Sequence, residues 1–421
     1  MNRDPLFERL WDGSAPMEEW TAAVSQGAIT EVADDIITVH TTYFCGNVTA
    51  IRTSEGLVLI DTAKPETARR TLEMVRSWDD GPIHTVIFTH GHIDHTSGIT
   101  VIDEEADARG RPRPRIVAHR NVQRRMERYE ASHGYNSLAQ GQQFNDPGYV
   151  YPIGQRRPDQ IYDDTLSLTI GGARLDLFHG RGETDDATFV WLPERRILAS
   201  GDFVIWVFPN AGNPRKVQRY AAEWAAALRR MEALKPAILV PGHGPVVFGE
   251  TRAAQMLRDG AEALEHLVTG TLALINRGAT LDEVLRSVKV PARYLAKPYL
   301  IPKYDDPEFL VRAVYHFYAG WFDGDPAHLK PAPAGDLAAE LAALAGGPHK
   351  LADRAAALAA AGQSRLAVQL IEFAAAAAPD DRAIQATRAA VLRLAIGQET
   401  SLMGKAFLAV YERAAERRAG E

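Results

Sequence analysis

Cysteine and long apolar runs are nearly absent from this chain of 421 residues. The single cysteine, Cys45, cannot close a disulfide within the chain, and one thiol makes neither a zinc ribbon nor a CxxC redox pair. No stretch approaches the roughly 20 apolar residues that a membrane span needs. The first residues, MNRDPLFERLWDG, also lack the apolar core of a signal peptide. We therefore expect a cytoplasmic protein without structural disulfides.

An excess of positive charge is missing as well. The chain has 47 Lys and Arg against 54 Asp and Glu, which gives a formal net charge of -7. Without an overall positive field or a dense basic stripe, there is little to hold a polyanion. Nucleic acid is therefore not expected as a partner, and nuclease activity is disfavoured.

What the chain does contain is the composition of an ordinary globular protein, with 46% hydrophobic and 24% charged residues. Short β-branched runs over 35–62 predict antiparallel strands, and they are followed by a helix over 65–78 and a buried strand over 84–88. A second series has two hairpins, a helix over 221–234 and a strand over 237–240. Because strands, helix and strand occur twice, we predict an α/β fold, an αββα sandwich.

The segment from Arg111 to Arg157 separates the two series and shows little periodicity. Loops of that length are uncommon inside a compact domain and often shape a substrate pocket. A solvated insertion is an equally good interpretation, so both alternatives stay open.

The composition shifts towards alanine, leucine and arginine after Pro331-Ala332-Pro333. These residues are strong helix formers, so an all-helical domain is predicted over 335–421, behind a first domain over 1–330. We do not expect catalysis in this tail, because His349 is its only histidine. The apolar faces of its helices are too extensive for so small a module to bury, which predicts a homodimer. Such a face carries Leu366, Val368, Leu370, Ile371 and Phe373.

The most specific motif is Thr89-His90-Gly91-His92-Ile93-Asp94-His95, which follows the predicted buried strand. Three imidazoles and a carboxylate within six residues cannot all find polar partners in an apolar core. In a loop at the strand end, alternate residues His90 and His92 can face one metal ion, while Asp94 and His95 face its neighbour. Ligand type and spacing therefore predict a metal site, with zinc favoured in the absence of thiolates.

The HxHxDH pattern resembles the motif of the metallo-β-lactamase superfamily, and the resemblance spans about residues 35–249. It implies the αββα fold and two Zn²⁺ ions per chain. Asp202, after an apolar strand, is similar to the family's bridging carboxylate, and His243 in a Pro-Gly-His-Gly sequence is similar to its final ligand. Asp61 matches a carboxylate that supports the ligand loop, although a turn aspartate is an equally good interpretation.

One position distinguishes this chain from most of the superfamily, which has Pro-Gly-His-Thr where the chain reads Arg181-Gly182-Glu183-Thr184. His179 lies four residues before Glu183, so either residue could complete the first metal site. The preceding glycine and the following TDDATFVWLP favour Glu183. Because an alkylsulfatase branch of the superfamily uses glutamate at this place, the chain resembles that branch.

Further segments are similar to the alkylsulfatases. Asn210 and Arg215 lie at the distances from Asp202 at which those enzymes carry an asparagine and an arginine that hold the sulfate group. The planar fork of an arginine suits a tetrahedral oxyanion. The segment over 314–327 resembles the one that closes their catalytic domain, and the helical tail resembles their dimerisation domain. We expect the chain to lack their third, lipid-carrier-like domain, and its bridge is aspartate where they have glutamate.

These resemblances imply a dinuclear zinc-dependent hydrolase of alkyl sulfates or related small anionic esters, with a metal-bridging hydroxide as nucleophile. A small anionic ester is thus the expected substrate. The metal ligands implied are His90, His92, Asp94, His95, Glu183, Asp202 and His243. The catalytic residues implied are Asp94, Asp202, Asn210 and Arg215. Candidates for protonating the leaving group are His179, Tyr304 and His133.

Other functions stay open at this point. A lactonase, thioesterase or β-lactamase-type hydrolase has the same fold, and Asn210 and Arg215 would then be incidental. A di-iron oxidoreductase is disfavoured because no flavin-binding module follows. A dimeric scaffold without catalysis is disfavoured by the full set of expected ligands. The sequence does not choose between cleavage at sulfur and cleavage at carbon.

Overall fold

The first layer of strands comes from the N-terminal half of the chain in a computed structural model that describes residues 5–420. Seven strands form a sheet in sequence order, antiparallel as far as the fourth strand and parallel from there on. A parallel sheet end of this kind lines up the loops after its strands at one edge. The strands are β1 (Ala28–Ala33), β2 (Ile36–His40), β3 (Val48–Thr53), β4 (Gly56–Ile60), β5 (Ile83–Ile87), β6 (Arg115–His119) and β7 (Gln160–Tyr162).

The second sheet has six strands, and β11 and β12 are its parallel pair. Gly171 and Gly172 both have positive φ and turn the first hairpin, in which Ile170 pairs with Ala173. The next hairpin turns after Leu192, as predicted. The strands are β8 (Thr165–Ile170), β9 (Ala173–His179), β10 (Thr188–Leu192), β11 (Ile197–Ala199), β12 (Ile238–Val240) and β13 (Val247–Phe248).

Helices cover the outer faces of both sheets and form the tail. They are α1 (Pro5–Asp12), α2 (Met17–Val24), α3 (Pro65–Trp78), α4 (Ile93–Thr96), α5 (Ile99–Ala108), α6 (Arg120–Ala131), α7 (His133–Phe144), α8 (Ala221–Ala233), α9 (Glu250–Ile275), α10 (Leu281–Ser287), α11 (Ala292–Leu295), α12 (Pro307–Ala319), α13 (Pro326–Leu329), α14 (Ala334–Ala345), α15 (Pro348–Ala360), α16 (Ser364–Ala377), α17 (Arg382–Gln398) and α18 (Leu402–Gly420). Short 3-10 turns lie at Gly201–Phe203 and Pro298–Leu300.

Separate apolar clusters show the layering. Val58 of the first sheet and Leu177 of the second are buried in one cluster between the sheets. The outer face of the first sheet packs on α3, α5 and α6, with Val75 at its centre. The outer face of the second sheet packs on α8 and α9 through Trp224 and Leu264. This order of helix, sheet, sheet and helix confirms the αββα prediction.

The segment 111–157 differs from the loop that the sequence suggested. It contains the parallel strand β6 and two helices, α6 and α7. In α6, Val122, Arg125 and Met126 are buried at helical spacing, but the many arginines around them hid the apolar stripe. The segment is therefore neither structureless nor a solvated insertion.

The alanine-rich tail is helical, as predicted. Helices α15 to α17 share a small core around Ala355 and Ile371, and α14 packs on α15 and α16. The final helix, α18, packs against α17 and also against α7 of the first domain. No helix among residues 5–420 combines the length and the apolar character that crossing a membrane requires.

Candidate metal centre and active site

The loop after β5 presents the HxHxDH residues at one edge of the sandwich. The Nε2 atom of His90 lies 2.8 Å from Nδ1 of His92 and 3.6 Å from Oδ2 of Asp202. Each of these three residues offers one ligand atom, and the three atoms lie within 4.8 Å of one another. This spacing is suited to three ligands of a single ion.

A second cluster of the same kind lies beside the first and consists of Asp94, His95 and His243. Oδ2 of Asp94 lies 3.5 Å from Nε2 of His95 and 3.4 Å from Nε2 of His243. The two clusters together contain six of the seven residues predicted as ligands, and Glu183 is the exception. Below, "ligand wall" means these six residues, His90, His92, Asp94, His95, Asp202 and His243.

Asp202 lies between the clusters and turns one oxygen to each. Its Oδ2 faces His90, while its Oδ1 lies 3.3 Å from Nε2 of His95 and 3.5 Å from Nε2 of His243. Gly242 makes this position accessible, because a Cβ atom there would lie 2.1 Å from Oδ1 of Asp202. Asp202 therefore lies close to histidines of both clusters.

Unpartnered atoms indicate that the ligand wall fits metal ions. Nε2 of His95 and Oδ1 of Asp202 are buried 3.3 Å apart, and neither has a partner in hydrogen-bonding geometry among residues 5–420. Buried polar atoms are normally paired, so two orphaned donor atoms of ligand type point to an ion between them. Burial, together with the nearby His95, lowers the pKa of His90 to about 4, which keeps its imidazole in the neutral form that binds a metal.

Asp61 orients the ligand loop through its contacts with Thr89 and His95. Its carboxylate accepts hydrogen bonds from the backbone N–H and hydroxyl of Thr89, each at 2.7 Å, and lies 2.7 Å from Nδ1 of His95. The bond to Nδ1 leaves Nε2 of His95 free to face the cluster. Asp61 has φ of 64°, which an aspartate tolerates better than most residues. Of the two interpretations left open, the structure favours the supporting carboxylate.

An ion pair that the sequence did not reveal supports the same loop. The guanidinium of Arg125 is buried and lies 2.9 Å from Oδ2 of Asp186, and it also contacts Asp185. Oδ2 of Asp186 accepts a hydrogen bond from the backbone N–H of Gly91, between the first two histidines. The adjacent Asp185 and Asp186 in TDDATFVWLP were a weak signal of this ion pair. Their partner, Arg125, lies in the segment 111–157, for which the sequence showed little periodicity.

Glu183 and His179 lie in different places. Glu183 lines the cavity beside the ligand wall, where its Oε1 accepts from Nδ2 of Asn210 at 2.8 Å and contacts the guanidinium of Arg219. Burial raises the pKa of Glu183 against the opposing effect of Arg219. The ring of His179 stacks on His119 at 3.7 Å, with Nε2 bonded to the Asp185 carbonyl. The structure therefore brings Glu183, and not His179, to the site.

Of the two residues expected to hold an anion, Asn210 lines the cavity and Arg215 does not. The guanidinium of Arg215 lies 4.9 Å from the ring centre of Phe407, in α18. The placement of Arg215 in the site is thus corrected: spacing from Asp202 located the loop but not the direction of the side chain. Two other cations of the same loop, Lys216 and Arg219, face the cavity instead. Below, "cationic wall" means the two cations Lys216 and Arg219 together with the neutral Asn210 of the same loop.

The cavity between the two walls has a volume of about 430 Å³. This falls in the range for pockets that hold small organic molecules. Residues from the segment 111–157 close one side, so the segment shapes the pocket. Tyr304 also lines the cavity and its hydroxyl accepts from Gln143 at 2.8 Å, whereas His133 is bonded to the Tyr151 carbonyl and lies outside. The rings on the cavity surface belong to Tyr43, Phe44, Tyr129, Phe144, Tyr149, Tyr151 and Tyr304.

Comparison with known proteins finds two families that match different parts of the chain. The family described as the metallo-beta-lactamase superfamily matches residues 43–243, and the family described as alkyl sulfatase dimerisation matches residues 280–418. The first match covers just under half of the chain and agrees with the metallo-beta-lactamase fold of the two sheets. The dimerisation match begins well before residue 335, within the region in which α10 to α12 pack on the second sheet. The predicted domain boundary stays a prediction.

Similar proteins include alkylsulfatases. A linear primary-alkylsulfatase from Pseudomonas sp. is 28% identical over 72% of this chain and 61% of its own length. An (R)-specific secondary-alkylsulfatase from Pseudomonas sp. is 29% identical over 81% of this chain and 56% of its own. The solved structure of a stereoselective inverting sec-alkylsulfatase from Pseudomonas sp. superposes with a TM-score of 0.82 at 25% identity, covering 94% of this chain and 66% of that one. The chain thus spans little more than half of the curated relatives' length.

Proposed function

We propose that this chain is a zinc-dependent hydrolase of sulfate monoesters that carry an apolar organic group, the class of the alkyl sulfates. The observation that carries the proposal is Asp202, which turns one carboxylate oxygen to each histidine cluster at the floor of a cavity. Cations and aromatic rings line the same cavity. A metal centre, an anion-binding side and an apolar side are the three parts that an organosulfate needs.

The metal ligands follow from the two clusters. We assign His90 and His92 to one ion, Asp94, His95 and His243 to the other, and Asp202 to both. Glu183 is the remaining candidate for the first ion, since its buried carboxylate faces the same cavity. Bound zinc would supply an activated water at neutral pH and a Lewis acid for the developing charge.

The protein side chains would orient and stabilise the reacting groups. Asp61 fixes the ring of His95, and the Tyr43 carbonyl lies 2.7 Å from Nδ1 of His243, so that Nε2 of each imidazole faces the site. Asn210 and Arg219 would contact oxygens of the sulfate group, where charge develops. The hydroxyl of Tyr304 accepts a bond from Gln143 and keeps its own hydrogen for a leaving oxygen. Burial raises the pKa of this hydroxyl, so Tyr304 stays protonated at neutral pH.

The experiment that tests the proposal combines metal analysis with a substrate panel. We expect two zinc ions per chain by mass spectrometry and the highest kcat/KM on an alkyl sulfate. The panel contains the alkyl phosphate of the same chain length, a lactone, a thioester and a β-lactam. Chelation should remove the activity, and zinc should restore it. A lactone, thioester or β-lactam turned over in preference to every sulfate ester would assign a different function to the same fold.

We also propose that the chain forms a homodimer through its helical tail. The match to the alkyl sulfatase dimerisation family supports this, as do apolar side chains that the tail leaves exposed, with Leu344 at 84% and Leu366 at 45% exposure. Ile371, in contrast, is buried inside the tail itself. Light scattering should give twice the chain mass. Leu344→Glu combined with Leu366→Glu should shift the particle towards one chain, whereas Gln363→Glu at another exposed tail position should not.

A further inference from the structure

The turn Asn213-Pro214-Arg215-Lys216 separates two adjacent cations. Its backbone closes with a hydrogen bond from the Lys216 N–H to the Asn213 carbonyl at 3.2 Å, and the Asn213 side chain accepts from the Arg215 N–H at 3.1 Å. An asparagine at the first position and a proline at the second are typical of such turns. The side chains of Arg215 and Lys216, which are consecutive in the turn, lie in different surroundings.

Arg215 is held on the outer side of the turn. Its guanidinium lies over the ring of Phe407 in α18, and its carbonyl accepts a hydrogen bond from the Tyr135 hydroxyl at 3.3 Å in α7. Cation–π contacts of this kind are individually modest, but the carbonyl bond fixes the backbone as well. Both contacts come from elements that pack against each other.

Lys216 lies on the inner side and lines the cavity. Among residues 5–420 its ammonium donates one hydrogen bond, to Oε1 of Gln140 at 3.3 Å, and forms no ion pair. A partly buried ammonium without a carboxylate is unfavourable unless an anion joins it. Arg219, by contrast, is already bonded to Glu183 and to the Asn210 carbonyl, so much of its charge is compensated.

We propose that Lys216, and not Arg215, is the cation that binds the sulfate group of the substrate. This rests on the proposed function, since a sulfate monoester is the ligand. Lys216 presents a point charge with rotatable donors, which can follow one sulfate oxygen, whereas a planar guanidinium would hold two. Asn210 and Arg219 then complete the sulfate site from the same loop.

The test compares neighbouring residues, Lys216→Met and Arg215→Met, in the zinc-loaded protein. Inorganic sulfate is the probe for binding by calorimetry, and an alkyl sulfate is the substrate for KM. Losing a charge-assisted contact should weaken sulfate binding and raise KM by about ten- to a hundredfold for Lys216→Met. Arg215→Met should change both by less than about twofold. Lys216→Arg should restore part of the loss.

The result that overturns the proposal is sulfate affinity unchanged in Lys216→Met, or reduced more by Arg215→Met. Zinc content and circular dichroism show that each variant is folded, and Lys216→Arg provides a second folded variant. Failure of the proposed function is a separate outcome: no sulfate ester would be turned over, while sulfate binding would still depend on Lys216.

Discussion

The ligand wall and the cationic wall both contribute to the lining of one cavity, but different parts of the chain fix their positions. Four of the six ligand-wall residues lie in the loop after β5 and in the short helix α4 that follows it, and Asp61 holds both through Thr89 and His95. The cationic wall also comes from a single loop, yet α7 and α18 decide which of its side chains point inward. Local spacing is therefore informative about the first wall and only partly informative about the second.

The largest expected effect would test the ligand wall at its centre. Asp202→Asn keeps the shape of the side chain but removes the charge shared by both clusters. We expect less than one zinc ion per chain and a fall in kcat of more than about a thousandfold, because a dinuclear site loses its bridge. Mass spectrometry and steady-state kinetics measure the two quantities. His349→Ala in the tail is the control, and an Asp202→Asn protein with two zinc ions would disprove the bridging assignment.

Glu183 connects the two walls, and its substitution sharpens the comparison. Glu183→Gln should weaken the first metal site and also release Arg219 from its buried partner, so zinc content should drop towards one per chain. His179→Ala should leave zinc content unchanged, because that ring stacks on His119 away from the cavity. If the two variants gave the opposite result, the ligand would be His179 and the likeness to alkylsulfatases would weaken.

A smaller effect is expected at Asp61, which contacts the proposed ligand His95. Asp61→Asn keeps an acceptor for the Thr89 N–H but removes the negative charge that stabilises the ring of His95. Partners of this kind typically contribute ten- to a hundredfold to metal affinity, so zinc affinity should fall by about that factor. Competition with a chelator measures it. The same substitution at the exposed Asp34 should have no effect, and an unchanged affinity in Asp61→Asn would make Asp61 a turn residue only.

The sequence predicted the sandwich because its signals are local. The helix at Pro65–Trp78, the hairpin at Gly171-Gly172 and the ligand loop each depend on residues close together in the chain. Two features were not predicted from the sequence. Arginines concealed the buried stripe of α6, and the outward direction of Arg215 depends on Phe407, almost two hundred residues away. Spacing can identify a loop, but packing from distant elements decides which side chain lines the cavity.

The smallest expected effect is a change of sulfate affinity with pH, caused by the titration of Lys216 in the cationic wall. Burial and the neighbouring Arg219 lower the pKa of Lys216 to about 8, with Arg125 acting in the same sense and Glu183 and Asp94 opposing. An ordinary lysine titrates near 10.4.

The ammonium form attracts sulfate, so affinity should be highest below the pKa and should fall as pH rises through about 8. Between pH 6.5 and 9.5 we expect a loss of about ten- to thirtyfold by calorimetry, within the range expected for Lys216→Met. Lys216→Arg should abolish the fall in this range, because a guanidinium stays charged. Lys216→Met should already show the weak, high-pH affinity at pH 6.5. Identical pH profiles for wild type and Lys216→Arg would mean that another group titrates, and that Lys216 does not carry the charge that sulfate meets.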